Sequence, residues 1–155
     1  MQILRTKENI FDIPCSINEE AVCITTNGII KKDGNAVMGL GIAKEANERY
    51  NLAGILGYKL RLYGNHVYAL KNIIRDKNNF ILISFPTKDH FKDRSDINLI
   101  IQSSYELVEL INNLGIKKCY LPPVGCGAGG LNWNDVKSEL EKILDDRFII
   151  VIRER

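Results

Sequence analysis

The sequence predicts one α/β domain, a largely parallel sheet covered by helices on both faces. Three observations predict it. Strand-like and helix-like segments mix along the chain, as they do where crossover helices join parallel strands. Several strand segments are apolar almost throughout, the pattern of strands buried on both faces. The chain has 155 residues, a length that suits one compact domain, and no repeat, low-complexity tract or Pro/Ser-rich linker divides it.

Six segments combine β-branched and aromatic residues between turn signals: Met1 to Arg5, Ala21 to Thr25, His66 to Lys71, Asn79 to Phe85, Lys117 to Leu121 and Phe148 to Ile152. Four segments read as helices. Gly39 to Tyr50 and Leu52 to Leu62 come first. Ser95 to Leu114 follows, with Ile97, Ile100, Ile101, Leu107, Val108, Leu110, Ile111 and Leu114 at helical spacing, Ser95 as a cap and Gly115 as a stop. In Asn132 to Asp145, Asn132 caps the start and Asp135 sits in the first turn, where the helix dipole favours an anion. Val136, Leu140 and Ile143 form its buried stripe. In such a sheet, ligands bind beyond the carboxyl ends of the strands, so the loops after Thr25, Phe85 and Leu121 share one rim.

Composition narrows the function classes. Hydrophobic residues make up 45% and charged residues 26%, close to the globular average. The apolar runs Phe80 to Ser84 and Arg147 to Ile152 are too short to span a bilayer, so no membrane partner is expected. The start, Met1-Gln2-Ile3-Leu4-Arg5, lacks the pattern of a signal peptide, and a cytoplasmic monomer is the default expectation. Cys15, Cys23, Cys119 and Cys126 lie far apart, no CxxC occurs, and the histidines are His66 and His90 alone. A Cys/His zinc site is therefore not expected, and reduced thiols are. The net charge of +2 is too small to argue for a nucleic-acid partner by itself.

Four motifs could carry chemistry. In Val37-Met38-Gly39-Leu40-Gly41-Ile42-Ala43, two glycines precede a helix. Free N–H groups and the helix dipole make such a start a phosphate cradle; the plain alternative is a glycine turn. No Gly-Lys-Ser/Thr follows, so it is not a Walker loop. The run Pro122-Pro123-Val124-Gly125-Cys126-Gly127-Ala128-Gly129-Gly130-Leu131-Asn132-Trp133 follows a strand and precedes a capped helix. Its successive N–H groups suit an anion nest, against the alternative of a flexible linker. Cys126 lacks a well-placed histidine base and reads as a small packing residue. In Phe85-Pro86-Thr87-Lys88-Asp89-His90, Lys88 stands at the rim. It is either an electrostatic partner of phosphate or a nucleophile activated by desolvation or by nearby Lys92 and Arg94. In Thr25-Thr26-Asn27-Gly28, Asn27 can point its amide into the rim or serve as a turn residue.

These motifs, in this order and over essentially the whole chain, resemble the macrodomain family. Phe85-Pro86-Thr87-Lys88 resembles its branch of glycohydrolases that remove ADP-ribose from DNA or from protein. The resemblance implies a single macrodomain over residues 1–155, with three α/β/α layers around a mixed six-stranded sheet. It implies ADP-ribose as ligand or product, no cofactor and no metal, and ADP-ribosylated protein or DNA as substrate. By similarity Asn9 and Ile10 hold the adenine, Asn9 standing where many members have Asp, and Asn27 lies near the distal ribose. Gly39, Gly41, Ile42 and Ala43 form the first phosphate loop. Val124, Gly125, Cys126, Gly127, Ala128, Gly129, Gly130 and Leu131 form the second. Lys88 matches the lysine that attacks the anomeric carbon, with Asn27 orienting the ribose. The assisting carboxylate of the human member is replaced here by Gly129. The implied activity is de-ADP-ribosylation; the alternatives are a non-catalytic ADP-ribose reader and a phosphatase of ADP-ribose 1″-phosphate.

Overall fold

Strand β2, Glu20–Thr26, shows why the chain folds as it does. Val22 and Ile24 point to one side of the sheet, Ala21 and Cys23 to the other, and all four are fully buried. Strand β4, Asn79–Pro86, repeats the pattern: Phe80 and Leu82 enter the first core, Ile83 and Phe85 the second. A strand buried on both faces has no polar side to show, and this accounts for the unbroken apolar runs in the sequence.

The computed structural model describes residues 1–155. Around β2 and β4 stand β1 (Gln2–Thr6), β3 (Tyr68–Ile74), β5 (Lys118–Leu121) and β6 (Phe148–Arg153). The six strands form one sheet in the order β1-β6-β5-β2-β4-β3. Every neighbouring pair is parallel except β3–β4, so the sheet is mixed. Helices α1 (Gly41–Tyr50) and α2 (Ala53–Tyr63) bury Ala46, Leu56 and Leu60 in the first core. Helices α3 (Ile97–Leu114) and α4 (Trp133–Glu141) bury Ile100, Leu107, Ile111, Val136 and Leu140 in the second. Three α/β/α layers result. No helix is long and apolar enough to cross a membrane.

The structure corrects four sequence-based boundaries. The cap of α3 is Asp96, whose carboxylate accepts from the Asn98 N–H at 2.9 Å; Ser95 lies one residue earlier and turns against a glycine loop. Helix α1 starts at Gly41 rather than Gly39, because Gly41 itself takes a positive φ of 57°. Helix α4 ends at Glu141 rather than Asp145: the N–H groups of Ile143 and Leu144 both turn back to the Leu140 carbonyl. Strand β3 runs to Ile74, with its register shifted between Ala69 and Lys71.

Two buried polar groups hold the frame. The Glu20 carboxylate, 1% exposed, accepts from the N–H groups of Cys15 and Ser16 at 2.5 and 2.8 Å and from the Tyr120 hydroxyl at 2.7 Å. Burial and the Glu20 charge hold the Tyr120 phenol above its ordinary pKa, so it remains a donor. The Ser103 hydroxyl of α3 donates to the Pro86 carbonyl at 2.7 Å, fixing the end of β4 where the loop to Lys88 begins.

Candidate functional site

A cavity of about 980 Å³ opens at the carboxyl ends of the strands. Four segments that the sequence marked out converge on it: Thr25 to Asn27 at the end of β2, Val37 to Ala43 at the start of α1, Thr87 and Lys88 after β4, and Gly125 to Gly129 after β5.

The wall at α1 presents donors. The helix is preceded by Leu40 in an extended conformation, and no side chain caps it. Its first N–H groups have no partner in the helix. Gly39, Leu40, Gly41, Ile42 and Ala43 all line the cavity. The partial positive charge of the helix end therefore faces the ligand space.

The opposite wall is the second glycine loop. Gly125 and Gly130 take positive φ values of 77° and 76°, a conformation that favours glycine. Three internal bonds shape the turn: Cys126 N–H to Pro123 O, Gly130 N–H to Gly127 O, and Leu131 N–H to Gly125 O, at 3.3, 3.1 and 3.0 Å. The N–H groups of Gly127, Ala128 and Gly129 meet no acceptor in the chain, and these residues line the cavity. Such a row of free donors binds anions. Asn132 caps α4 behind the loop by accepting from the Asn134 N–H at 2.9 Å.

Gly129 has a packing reason to be glycine. A Cβ there would stand 2.1 Å from Ser95 Oγ and 2.6 Å from the Gly125 carbonyl oxygen. No carboxylate-bearing side chain fits at this position in this loop. Ser95 fills the space. It is 7% exposed, its N–H donates to the Gly129 carbonyl at 2.9 Å, and its hydroxyl has no partner.

Lys88 lies on the loop after β4, and its amine donates to the carbonyls of Phe91 at 3.4 Å and Asp93 at 3.2 Å. The Asn65 amide holds this loop from outside, donating to Lys88 O and Asp89 Oδ1 at 3.2 and 3.0 Å, and the Gly28 N–H donates to Asp89 O. Arg94 ties the connection between β4 and α3 to the second glycine loop: its guanidinium donates to the Gly130 carbonyl at 2.8 Å. Lys92 is drawn to the Phe91 ring instead, and neither Lys92 nor Arg94 lines the cavity.

Asn27 lines the cavity with its amide already engaged: Nδ2 donates to Val37 O, and Oδ1 accepts from the Ile29 N–H, each at 3.0 Å. It ties the first glycine loop to the end of β2. Cys126 donates its thiol to Val124 O at 3.3 Å, and burial pushes that thiol above its ordinary pKa, which suits packing and not attack.

The remaining sequence-selected residues lie outside the cavity lining. Asn9 caps a short 3-10 turn over Ile10–Asp12 by accepting from the Phe11 N–H at 3.0 Å, and its amide donates to Glu45 at 2.6 Å. Ile10 packs on the first core, Val124 is fully buried in the second, and Leu131 packs against the second. Gly130 sits behind the loop against Arg94.

Sequence reasoning missed Phe91, Trp133, Arg5, Arg153 and Arg155, all of which line the cavity. The signal for Arg5 and Arg153 was present. Arg5 is next to last in β1 and Arg153 ends β6, and the parallel run of these strands brings both carboxyl ends to the ligand rim. The lining contains four cations and no Asp, Glu or His. No three His, Cys, Asp or Glu side chains gather as a metal site requires.

The macrodomain of Mycobacterium tuberculosis DarG superposes with a TM-score of 0.77 at 25% identity, over 99% of each chain. The chain has the macrodomain fold. The chain is also similar to Thermosipho africanus DarTG in complex with ADP-ribose, with a TM-score of 0.74 at 22% identity, over 99% of this chain and 43% of that one. In sequence it is 32% identical over 108 residues to a DNA ADP-ribosyl glycohydrolase of Mycobacterium tuberculosis, covering 67% of this chain and 30% of that relative. The chain thus spans less than a third of the length of the curated relative it matches. No family model matches it.

Proposed function

We propose that this macrodomain binds ADP-ribose and hydrolyses the bond joining it to a modified macromolecule, with DNA as the favoured carrier. The observation that carries the reading is the pair of facing donor arrays, the α1 start and Gly127 to Gly129, in one cavity with Lys88 and no carboxylate. A diphosphate is the group such walls suit: backbone N–H groups reach its oxygens, and the helix end favours its charge. The names of the relatives, DNA ADP-ribosyl glycohydrolases and an ADP-ribose complex, support ADP-ribose as the ligand and DNA as its carrier.

With the diphosphate held between the loops, the anomeric carbon of the distal ribose is carried toward Lys88. Fixing that carbon removes part of the entropic barrier, of order several kcal/mol. The free N–H groups oppose negative charge developing on the substrate. Lys88 acts at the anomeric carbon, either as a transient covalent partner or as a cation beside the departing atom; in both cases its amine must first leave the Phe91 and Asp93 carbonyls. Asn27 positions the first loop through Val37. Water completes the cleavage, releasing ADP-ribose and the unmodified carrier.

A second reading, a reader that binds ADP-ribose without cleaving it, draws on the engaged Lys88 amine and on the absence of a carboxylate from the lining. One experiment separates the two. ADP-ribosylated DNA and protein are incubated with the purified domain, and free ADP-ribose is followed over time. The wild type releases it; Lys88→Ala does not, yet binds ADP-ribose within about tenfold of wild type. Absence of release by the wild type on every substrate favours the reader, and equal release by Lys88→Ala removes Lys88 from the mechanism. Borohydride trapping separates the two roles of Lys88, since only a lysine imine is captured.

A further inference from the structure

The cavity holds more positive charge than a diphosphate requires. A diphosphate diester carries two negative charges, and the two donor arrays already face it. The lining adds four cations, Lys88 at the β4 end and Arg5, Arg153 and Arg155 at the β1–β6 end.

These three arginines differ from every other arginine in the chain. Of the eight, Arg49 pairs with Glu45 and Asp12, and Arg147 with Asp145. Arg61 and Arg75 lie over the rings of Tyr58 and Phe80, and Arg94 donates to Gly130 O. Arg5, Arg153 and Arg155 have no ion pair, no side-chain hydrogen bond and no aromatic partner, and all three line the cavity. Strand register sets the directions of Arg5 and Arg153, and Arg155 lies just past the end of β6. Arg5 pairs with Ile152, whose side chain packs on the second core, while Arg153 shares the face of Val151 in the first. The guanidinium groups therefore bracket this end of the cavity from both faces of the sheet. Unpaired like charges at one opening repel, and an anion held among them relieves that repulsion.

We infer that this end is a phosphate site, and that the macrodomain prefers a 2′-phosphorylated ADP-ribose, the product class derived from NADP-type nucleotides, to ADP-ribose itself. The inference rests on the proposed function. With the diphosphate on the loops and the reacting ribose at Lys88, the adenosine lies toward β1 and β6, and its 2′-phosphate meets the arginines. Guanidinium forks match phosphate oxygens, and arginine is the residue that accommodates the 2′-phosphate in other nucleotide-binding folds.

Calorimetry with ADP-ribose and with ADP-ribose 2′-phosphate tests it. The wild type binds the 2′-phosphate roughly tenfold more tightly, the size expected of hydrogen bonds to a charged group at a solvent-exposed site. Raising the salt narrows that gap, because the arginines are exposed. The variant Arg5→Gln/Arg153→Gln/Arg155→Gln still binds ADP-ribose, which reports its folding, and shows no preference. Equal or weaker binding of the 2′-phosphate by the wild type overturns the inference and leaves the proposed function standing. No binding of either ligand overturns the proposed function and this inference with it. A short single-stranded oligonucleotide that competes at the arginines, with no 2′-phosphate preference, assigns the patch to a nucleic-acid backbone and also overturns the inference.

Discussion

Adding one methyl group at Gly129 tests whether the second loop is a built binding wall or a flexible connection. A Cβ at this position stands 2.1 Å from Ser95 Oγ, 2.9 Å from Ser95 Cβ and 2.6 Å from the Gly125 carbonyl oxygen. Serine can turn its hydroxyl away, but the backbone oxygen can yield only if the loop moves. Overpacking of this kind costs about 1–3 kcal/mol. If that strain falls on the bound loop shape, ADP-ribose affinity drops by roughly five- to 150-fold in Gly129→Ala. The same methyl at Gly127 meets nothing within 4 Å, so Gly127→Ala loses less. Ser95→Gly removes two of the three close contacts and leaves the third, so Ser95→Gly/Gly129→Ala recovers part of the loss. The four proteins form a double-mutant cycle, and contacting residues give a coupling of about 0.5–3 kcal/mol. Calorimetric titration with ADP-ribose and thermal denaturation of each protein supply the two readouts. The reasoning is refuted if Gly129→Ala matches the wild type in both, or if the two substitutions add without coupling.

Three further outcomes are expected. Cys126→Ala keeps turnover, and the wild-type thiol reacts slowly with iodoacetamide at neutral pH, because burial holds it protonated; rapid alkylation with loss of activity would reverse that assignment. Arg94→Ala frees the Gly130 carbonyl from its 2.8 Å tether and weakens ADP-ribose binding by about three- to tenfold, the worth of one hydrogen bond from a charged donor at an exposed site; unchanged affinity argues against a role for this tether in shaping the second glycine loop. Glu106→Gln tests an acid-sensitive contact. Burial raises the Glu106 pKa, but hydrogen bonds from the Val67 N–H, Gln102 and His66 outweigh it and hold the carboxyl below its ordinary 4.5. A depressed folded-state pKa gives stability that is present above that value and lost as the pH falls through the folded one. The wild type is therefore more stable than Glu106→Gln near neutrality, and the two converge as the pH falls below 4.5; a gap that persists in acid contradicts the charge-based account.

The layered fold was legible because its cause is local and repeated. Residues 80–83 and 21–24 are apolar without a break, as in a strand covered on both faces, and the 95–114 periodicity gives a helix in nearly the right place. Ends were less legible. Ser95 and Asp96 are both good caps in sequence, and the choice between them is made by Gly129, thirty-three residues beyond Asp96, whose carbonyl takes the Ser95 N–H. The glycine loops were legible because free backbone donors beside a ligand call for residues with little or no side chain. The engaged state of Asn27 and Lys88 was not, since it depends on the carbonyls of Val37, Phe91 and Asp93. The arginines escaped notice for a different reason. A lone Arg at a strand end looks solvated in sequence, and only the pairing of β1 with β6 sets Arg5 and Arg153 at one opening.

Amide-resolved NMR of the labelled domain during addition of ADP-ribose tests the central claim most directly, because backbone N–H groups are the proposed contacts. The account predicts saturable shifts concentrated at Gly41, Ile42 and Ala43 and at Gly127, Ala128 and Gly129, both sets following one binding curve. Shifts confined to one set, or amides of both sets that stay in place while ADP-ribose binds elsewhere, would contradict it.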